Sequence, residues 1–371
     1  MADTMGSEGV DVMPVTFGEW TVEQAEAGTL SEMHALRVLA RRLPKAELHT
    51  HFLGAIRRSY PFASRCQCFL PDEYGGANDF FARLRRVAPG LTNADMFEQA
   101  TLRLLEENVN FGCVHVEMMA TPGEISQSPV PLKDSLAAMG RAFDSMKERV
   151  GLTGGIILGT DRADDPLKGF EVVDLAVAAR EAGVPIAGIG NDGDLINPVI
   201  AFAPAFEYAK KQGFMVTCHL DTPQDVREGL HLPLDRADHA YDLKGRPELI
   251  AAYKARNIPI TCCLGACAYM MPGVMKSPAD HPADELRRGG VRIALGTDDP
   301  AFFHTDISQE YSMAQQAYGW GRKDLIDVAM SSLDMAWIDP TDRSTRLAAW
   351  RAAAEGLLDD PRTTKVSALS S

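Results

Sequence analysis

The feature that most constrains this chain is a train of eight short apolar runs, with longer helix-patterned stretches between them. The runs fall at residues 46–52, 112–120, 154–158, 185–190, 215–220, 237–240, 259–264 and 291–295. Most are continuous rather than alternating, and several are rich in Val, Ile and Cys. A strand covered on both faces needs apolar residues at successive positions, as parallel strands under helices do. Stretches such as 197–212 and 284–289 carry helical patterning. Eight β-then-α units make the count of a closed (β/α)8 TIM-type barrel, an α/β fold. A doubly wound open sheet produces the same pattern, because periodicity does not show closure. No internal repeat or low-complexity tract interrupts the series.

The 371 residues suit one such barrel with additions. Residues 20–42 read as helical and end before Pro44, so 1–42 is expected to be an N-terminal helical arm with a disordered start. Residues 43–360 form the barrel, and 361–371 a polar tail. The arm could pack on its own barrel or on a partner subunit, which leaves a homo-oligomer open. The net charge of −14 argues against nucleic acid and anionic membranes as partners, and leaves a small molecule as the expected one. No apolar run is long enough to span a bilayer, and the opening MADTMGSEGVDVMP has no signal-peptide pattern. Seven cysteines is an odd count, and Cys66/Cys68 and Cys262/Cys263 lack thiolate metal spacing. Reduced thiols in the cytoplasm are the expected state.

The polar residues gather where the strands end. His49 and His51 sit two apart near the C-terminal end of the first run, so they share a face. His219 ends the fifth, His239 lies on the sixth, and Asp298-Asp299 follow the eighth. In a parallel barrel these ends converge on one mouth. Three imidazoles and a carboxylate suit one divalent ion of the zinc kind. Each feature alone has a bland reading. A His-x-His pair is common, His115 reads as a core histidine, and Asp-Asp-Pro is a usual turn and helix cap. Cys218 and Cys262 read as packing residues, and His34, His231, His281 and His304 lie off this pattern. It is the order along the strands that points to a metal site.

These residues resemble the adenosine deaminase-like branch of the metal-dependent amidohydrolase superfamily. The likeness lies in Leu43-Pro-Lys-Ala-Glu-Leu-His-Thr-His51, Asp235-Arg-Ala-Asp-His239, His281-Pro282, and Gly296-Thr-Asp-Asp-Pro300 with Glu310-Tyr311. It implies that His49, His51, His219 and Asp298 bind one Zn2+. It implies that His239 orients the attacking water and shares its proton, that Asp299 contacts the substrate's heterocycle, and that Gly193 presents its backbone to the ring. The implied reaction is attack of metal-bound hydroxide on an amino-bearing ring carbon, with release of ammonia.

Three departures redirect that expectation. Where the family carries an acid after the second histidine, this chain has Leu53, which cannot accept a hydroxyl hydrogen bond. Adenosine is therefore disfavoured. The family's His-Ala-Gly-Glu becomes His219-Leu-Asp-Thr222, so Thr222 aligns with the proton-donating glutamate, and Asp221, one residue earlier, is the expected replacement. Asp192 and Asp194 are further candidates. The family's Cys-Pro-x-Ser-Asn becomes Cys262-Cys-Leu-Gly-Ala266, a remodelled pocket wall. The expected activity is deamination of a nitrogen heterocycle other than adenosine. The alternatives are hydrolysis of a cyclic amide or amidine, a hydration or isomerisation, and a non-catalytic binding barrel.

Overall fold

Eight parallel strands coincide with the eight runs: β1 (Lys45–His51), β2 (Cys113–Ala120), β3 (Thr153–Asp161), β4 (Ile186–Asp192), β5 (Met215–Val216), β6 (Ala237–Asp238), β7 (Ile260–Cys262) and β8 (Ile293–Leu295). The structure, a computed structural model, describes residues 32–66, 77–271 and 274–360. The expected disordered start, the first half of the 20–42 helix and the polar tail lie outside these residues.

Regular pairing runs unbroken from β1 to β5 and again from β6 to β8. Two isolated bridges, Thr50 with Asp298 and His219 with Asp238, join the two sheets. At the first seam His51 N–H donates to Asp298 O and Asp298 N–H donates to His49 O, both at 2.8 Å. At the second, Asp238 N–H donates to Cys218 O at 2.9 Å and Leu220 N–H to Asp238 O at 3.1 Å. The sheet therefore closes into a barrel, and the open-sheet alternative falls.

The described part of the arm, the helix Glu32–Arg42, packs on its own barrel against the helices Ile307–Tyr318 and Arg322–Met335. Leu36, Leu39 and Ala40 are buried in the shared core. Buried Lys45 ties this helix to the foot of β1 by donating to Ala40 O and Leu43 O at 2.8 and 2.9 Å.

The barrel interior is not wholly apolar. Arg236 donates to Glu117 Oε2 at 2.7 Å and to Leu48 O at 3.1 Å, with its guanidinium 4.1 Å from the Trp337 ring centre. Glu117 Oε1 accepts from Trp337 N–H at 2.6 Å and lies 2.9 Å from His115 Nε2. Burial opposes the charge on Glu117, but Arg236 and His115 hold its carboxyl below the ordinary range. His115 is thus a satisfied core histidine.

Two stability predictions arise from this interior. Arg236→Met leaves the buried Glu117 carboxylate without its guanidinium, which costs ~3–5 kcal/mol. Its denaturation midpoint should fall sharply, and adding Glu117→Gln should recover part of the loss. His281 is also buried, and burial, aided by Lys244, lowers its pKa from 6.5 to about 3. Its contribution is complete above pH 6.5 and is lost as pH falls toward 3, because the unfolded chain takes up the proton first. His281 Nδ1 accepts from Ala283 N–H at 3.1 Å, a bond that an asparagine oxygen can replace. His281→Asn should therefore lose less stability between pH 7 and pH 5 than the parent, read by thermal melts across that range.

Candidate metal and active site

His49 and His51 leave β1 on the same face, and the closure described above brings them against Asp298 and His219. His51 Nε2 lies 3.3 Å from Asp298 Oδ1 and 3.3 Å from His219 Nε2, and His49 Nε2 lies 3.6 Å from Asp298 Oδ1. A tetrahedral ion with bonds of about 2.0–2.1 Å sets its donors roughly 3.3–3.4 Å apart. The donor atoms of these four residues all lie within 4.8 Å of one another, and all four residues are buried. His49 Nε2 is buried with no hydrogen-bond partner. An orphaned imidazole nitrogen aimed into a nest of donors fits a metal ion and is costly otherwise.

The supporting groups decide which nitrogen each imidazole offers. Thr261 Oγ1 donates its only proton to Asp238 Oδ1 at 2.6 Å, so it must accept from His49 Nδ1 at 2.8 Å. That leaves the lone pair of His49 on Nε2. His51 Nδ1 faces Asp192 Oδ2 at 3.2 Å, which likewise leaves Nε2 free. Asp238 also accepts from Thr217 Oγ1 at 2.5 Å and sits 3.6 Å from His49 Nδ1 and 3.8 Å from His219 Nδ1. Burial works against the charges on Asp238 and Asp192, but the imidazoles beside them hold both well below the usual carboxylate range. Glu47 seats the strand ends by accepting from His49 N–H at 3.0 Å and Thr297 N–H at 3.2 Å. Asp238, Thr261, Thr217 and Glu47 are absent from the sequence expectations, and Asp192 was expected only as a spare acid. The available signals were that Asp238 directly precedes His239 and that Asp192 lies two residues past the fourth run.

His239 leaves β6 on a left-handed backbone, φ 63°, followed by Ala240 at φ 52°. Its Nδ1 meets Tyr241 Oη at 3.0 Å, and Tyr241 stacks on its ring. Its Nε2 lies 3.8 Å from Asp298 Oδ2 and 4.0 Å from Asp221 Oδ1. The Asp221 side chain is a quarter exposed, and burial against His219 and Arg162 leaves its carboxyl pushed up to about 6. Asp299 is buried, with Oδ1 unpartnered. Desolvation, with Asp298 and Asp192 nearby, outweighs His51 and holds Asp299 well above the ordinary range. Gly54 makes room for it, because a Cβ there would lie 1.7 Å from Asp299 Oδ1. Leu53 is buried in the short turn Leu53–Ala55 directly after β1.

Two expected substrate contacts need correction. Thr222 is committed to its backbone: Oγ1 accepts from Asp225 N–H at 3.1 Å and caps the helix Pro223–Gly229. Asp225 is in turn held by buried Arg162 at 3.0 Å. Asp-Thr-Pro at 221–223 opens a helix, and Thr222 is its cap. Gly193 is left-handed, φ 92°, and a Cβ there would lie 2.2 Å from Asp161 Oδ1. Its N–H is taken by its neighbour, Asp192 Oδ1, at 2.6 Å, rather than offered to a ring. Asp194 pairs with Arg85. A separate cavity lined by Arg292, Ile326, Met330 and Arg351 shares no residue with this site.

Known proteins place the chain. Residues 44–349 match the family described as Adenosine deaminase. An adenine deaminase of Mesorhizobium japonicum is 26% identical over 332 residues, which cover 84% of this chain and 99% of the relative. An uncharacterized deaminase of Schizosaccharomyces pombe is 25% identical, covering 84% and 96%. An amidohydrolase from Burkholderia ambifaria, solved with bound Zn, superposes with a TM-score of 0.76 at 26% identity, covering 95% of this chain and 98% of that one. The adenine deaminase of Arthrobacter aurescens shares the fold, with a TM-score of 0.76 at 22% identity, covering 85% and 99%. With this match spanning most of its length, the chain belongs to the adenosine deaminase family.

Proposed function

We propose that the protein is a zinc-dependent aminohydrolase that deaminates an aminopurine-like heterocycle as the free base, not adenosine and not a nucleotide. The observation that carries the proposal is that Asp221 and His239 stand together, 4.0 Å apart, beside the cage of His49, His51, His219 and Asp298. This arrangement restores a proton donor where the family's glutamate has become a helix-capping threonine.

Zinc held by those four residues would lower the pKa of a bound water toward neutrality. His239, kept neutral by burial and by His49, accepts the proton of the attacking water and passes it on. Asp221 protonates the ring nitrogen as water adds to the neighbouring carbon. The amino group then leaves as ammonia: one C–O bond forms, one C–N bond breaks, and one water is consumed. Asp299, held protonated, donates a hydrogen bond to a second ring nitrogen.

Two features support a free base. Leu53 supplies an apolar wall and no acceptor for a sugar hydroxyl. Asp192 and Asp194 act electrostatically on Asp161 at the same strand ends, while burial beside them pushes Glu124 up to about 8. A phosphate brought to this mouth would meet like charge. Adenine deaminases among the relatives agree with such a substrate. We assign a reducing, cytoplasmic setting on the free, buried thiols Cys113, Cys218, Cys262 and Cys263.

An ammonia-release assay tests this reading. The zinc-loaded protein should deaminate aminopurine bases and leave adenosine and AMP untouched. A chelator should abolish turnover, and one equivalent of zinc should restore it. Preference for AMP would overturn the free-base assignment. Asp221→Asn should lower kcat by ~10²–10⁴ with zinc content unchanged. Full activity in that variant would remove Asp221 from the proton-donor role.

A further inference from the structure

The two oxygens of Asp298 face different groups. Oδ1 lies 3.6 Å from His49 Nε2 and 3.3 Å from His51 Nε2, inside the cage. Oδ2 lies 3.8 Å from His239 Nε2, on the other side of the carboxylate. Cys263 also lies beside this carboxylate and His239. Its sulfur and the donor atoms of His49, His239 and Asp298 lie within 4.8 Å of one another, and all four residues are buried. Cys263 is a free thiol.

We propose that Cys263, His239 and Asp298 Oδ2 form a second metal position, bridged to the first by Asp298, that takes a zinc-class ion in excess and blocks the reaction. His49 Nε2 belongs to the first ion, so the second has three protein donors and an open position. A thiolate with an imidazole selects Zn2+, Cd2+ or Co2+ over Mg2+ or Ca2+. Paired ions in two-metal sites stand about 3.5–4 Å apart, a separation at which both positions can be occupied at once. Coordination replaces the S–H bond by a metal–sulfur bond and releases one proton to solvent, with no oxidation.

Two observations favour this second position over simple packing. The seventh-strand segment reads Cys262-Cys263 where the resembled family motif reads Cys-Pro, and proline offers no donor. The sulfur therefore enters this pocket as a feature of the present sequence. His239 is also the group assigned to the water's proton, so an ion on its Nε2 removes that function.

Cobalt titration of the metal-free, tag-free protein tests the proposal. The first equivalent should bind without a thiolate-to-cobalt charge-transfer band. The second should bind more weakly and bring that band. A second equivalent of zinc should cut turnover by ~10²-fold or more, as expected when a general base is lost. Cys263→Ala and Cys263→Ser should keep the first equivalent but lose the band and the inhibition, each measured against the variant's own one-equivalent turnover, and Cys262→Ser should keep both. A band that arrives with the first equivalent, saturation at one equivalent, or a band that survives in Cys263→Ala would overturn the proposal. The absorption is read without substrate, so it stands apart from the deaminase reading. The order of band and stoichiometry in the unmodified protein decides the matter even if a variant fails to fold.

Discussion

The hydrogen bonds that close the barrel wall are made by the residues proposed to hold the metal. Asp298 both receives and donates a backbone bond across the seam to β1, while its carboxylate enters the cage. His219 and Asp238 form the bridge at the other seam, one a member of the cage and the other a support for two imidazoles. Asp298 and His239 both take left-handed backbones, φ 60° and 63°. Such conformations cost of order 1–3 kcal/mol and persist where surrounding bonds over-determine them. The strain lies where the chain must turn a side chain inward at the end of a strand.

Around this cage one residue type performs several tasks, separated by environment. Asp192 and Asp238 stay ionised because imidazoles and hydroxyls face them, and they orient His51 and His49. Asp299 and Glu47 are pushed the other way by burial, Glu47 to about 8. Asp221, partly open at the mouth, stands between these extremes, near 6. Burial raises a carboxyl and a neighbouring cation lowers it, and acid and orienting roles are sorted by which wins.

The departures from the family pattern are also physically distinct. Leu53 changes what the pocket can accept, because a hydroxyl acceptor is gone. Thr222 changes nothing at the pocket, since its oxygen is spent on the Asp225 N–H. Cys263 adds a soft donor beside His239. Position in the sequence did not distinguish these cases; hydrogen-bond partners did.

The order of strands, the number of units and the gathering of His49, His51, His219 and Asp298 in one place were all legible in the sequence. Apolar continuity reports double-sided burial, and residues at strand ends converge in a parallel barrel whatever fills the helices. Local pattern also carried the cap at Thr222, although alignment pulled it toward a different role. Closure itself, the tautomers of His49 and His51, and the seating of Asp238 between β1, β5 and β7 were decided only by the tertiary structure. Each depends on atoms from strands far apart in the chain meeting at hydrogen-bond distance: Thr261 with His49, Asp192 with His51, and Asp298 with the backbones of His49 and His51. A one-dimensional pattern records which face a residue takes, but not which partner stands opposite.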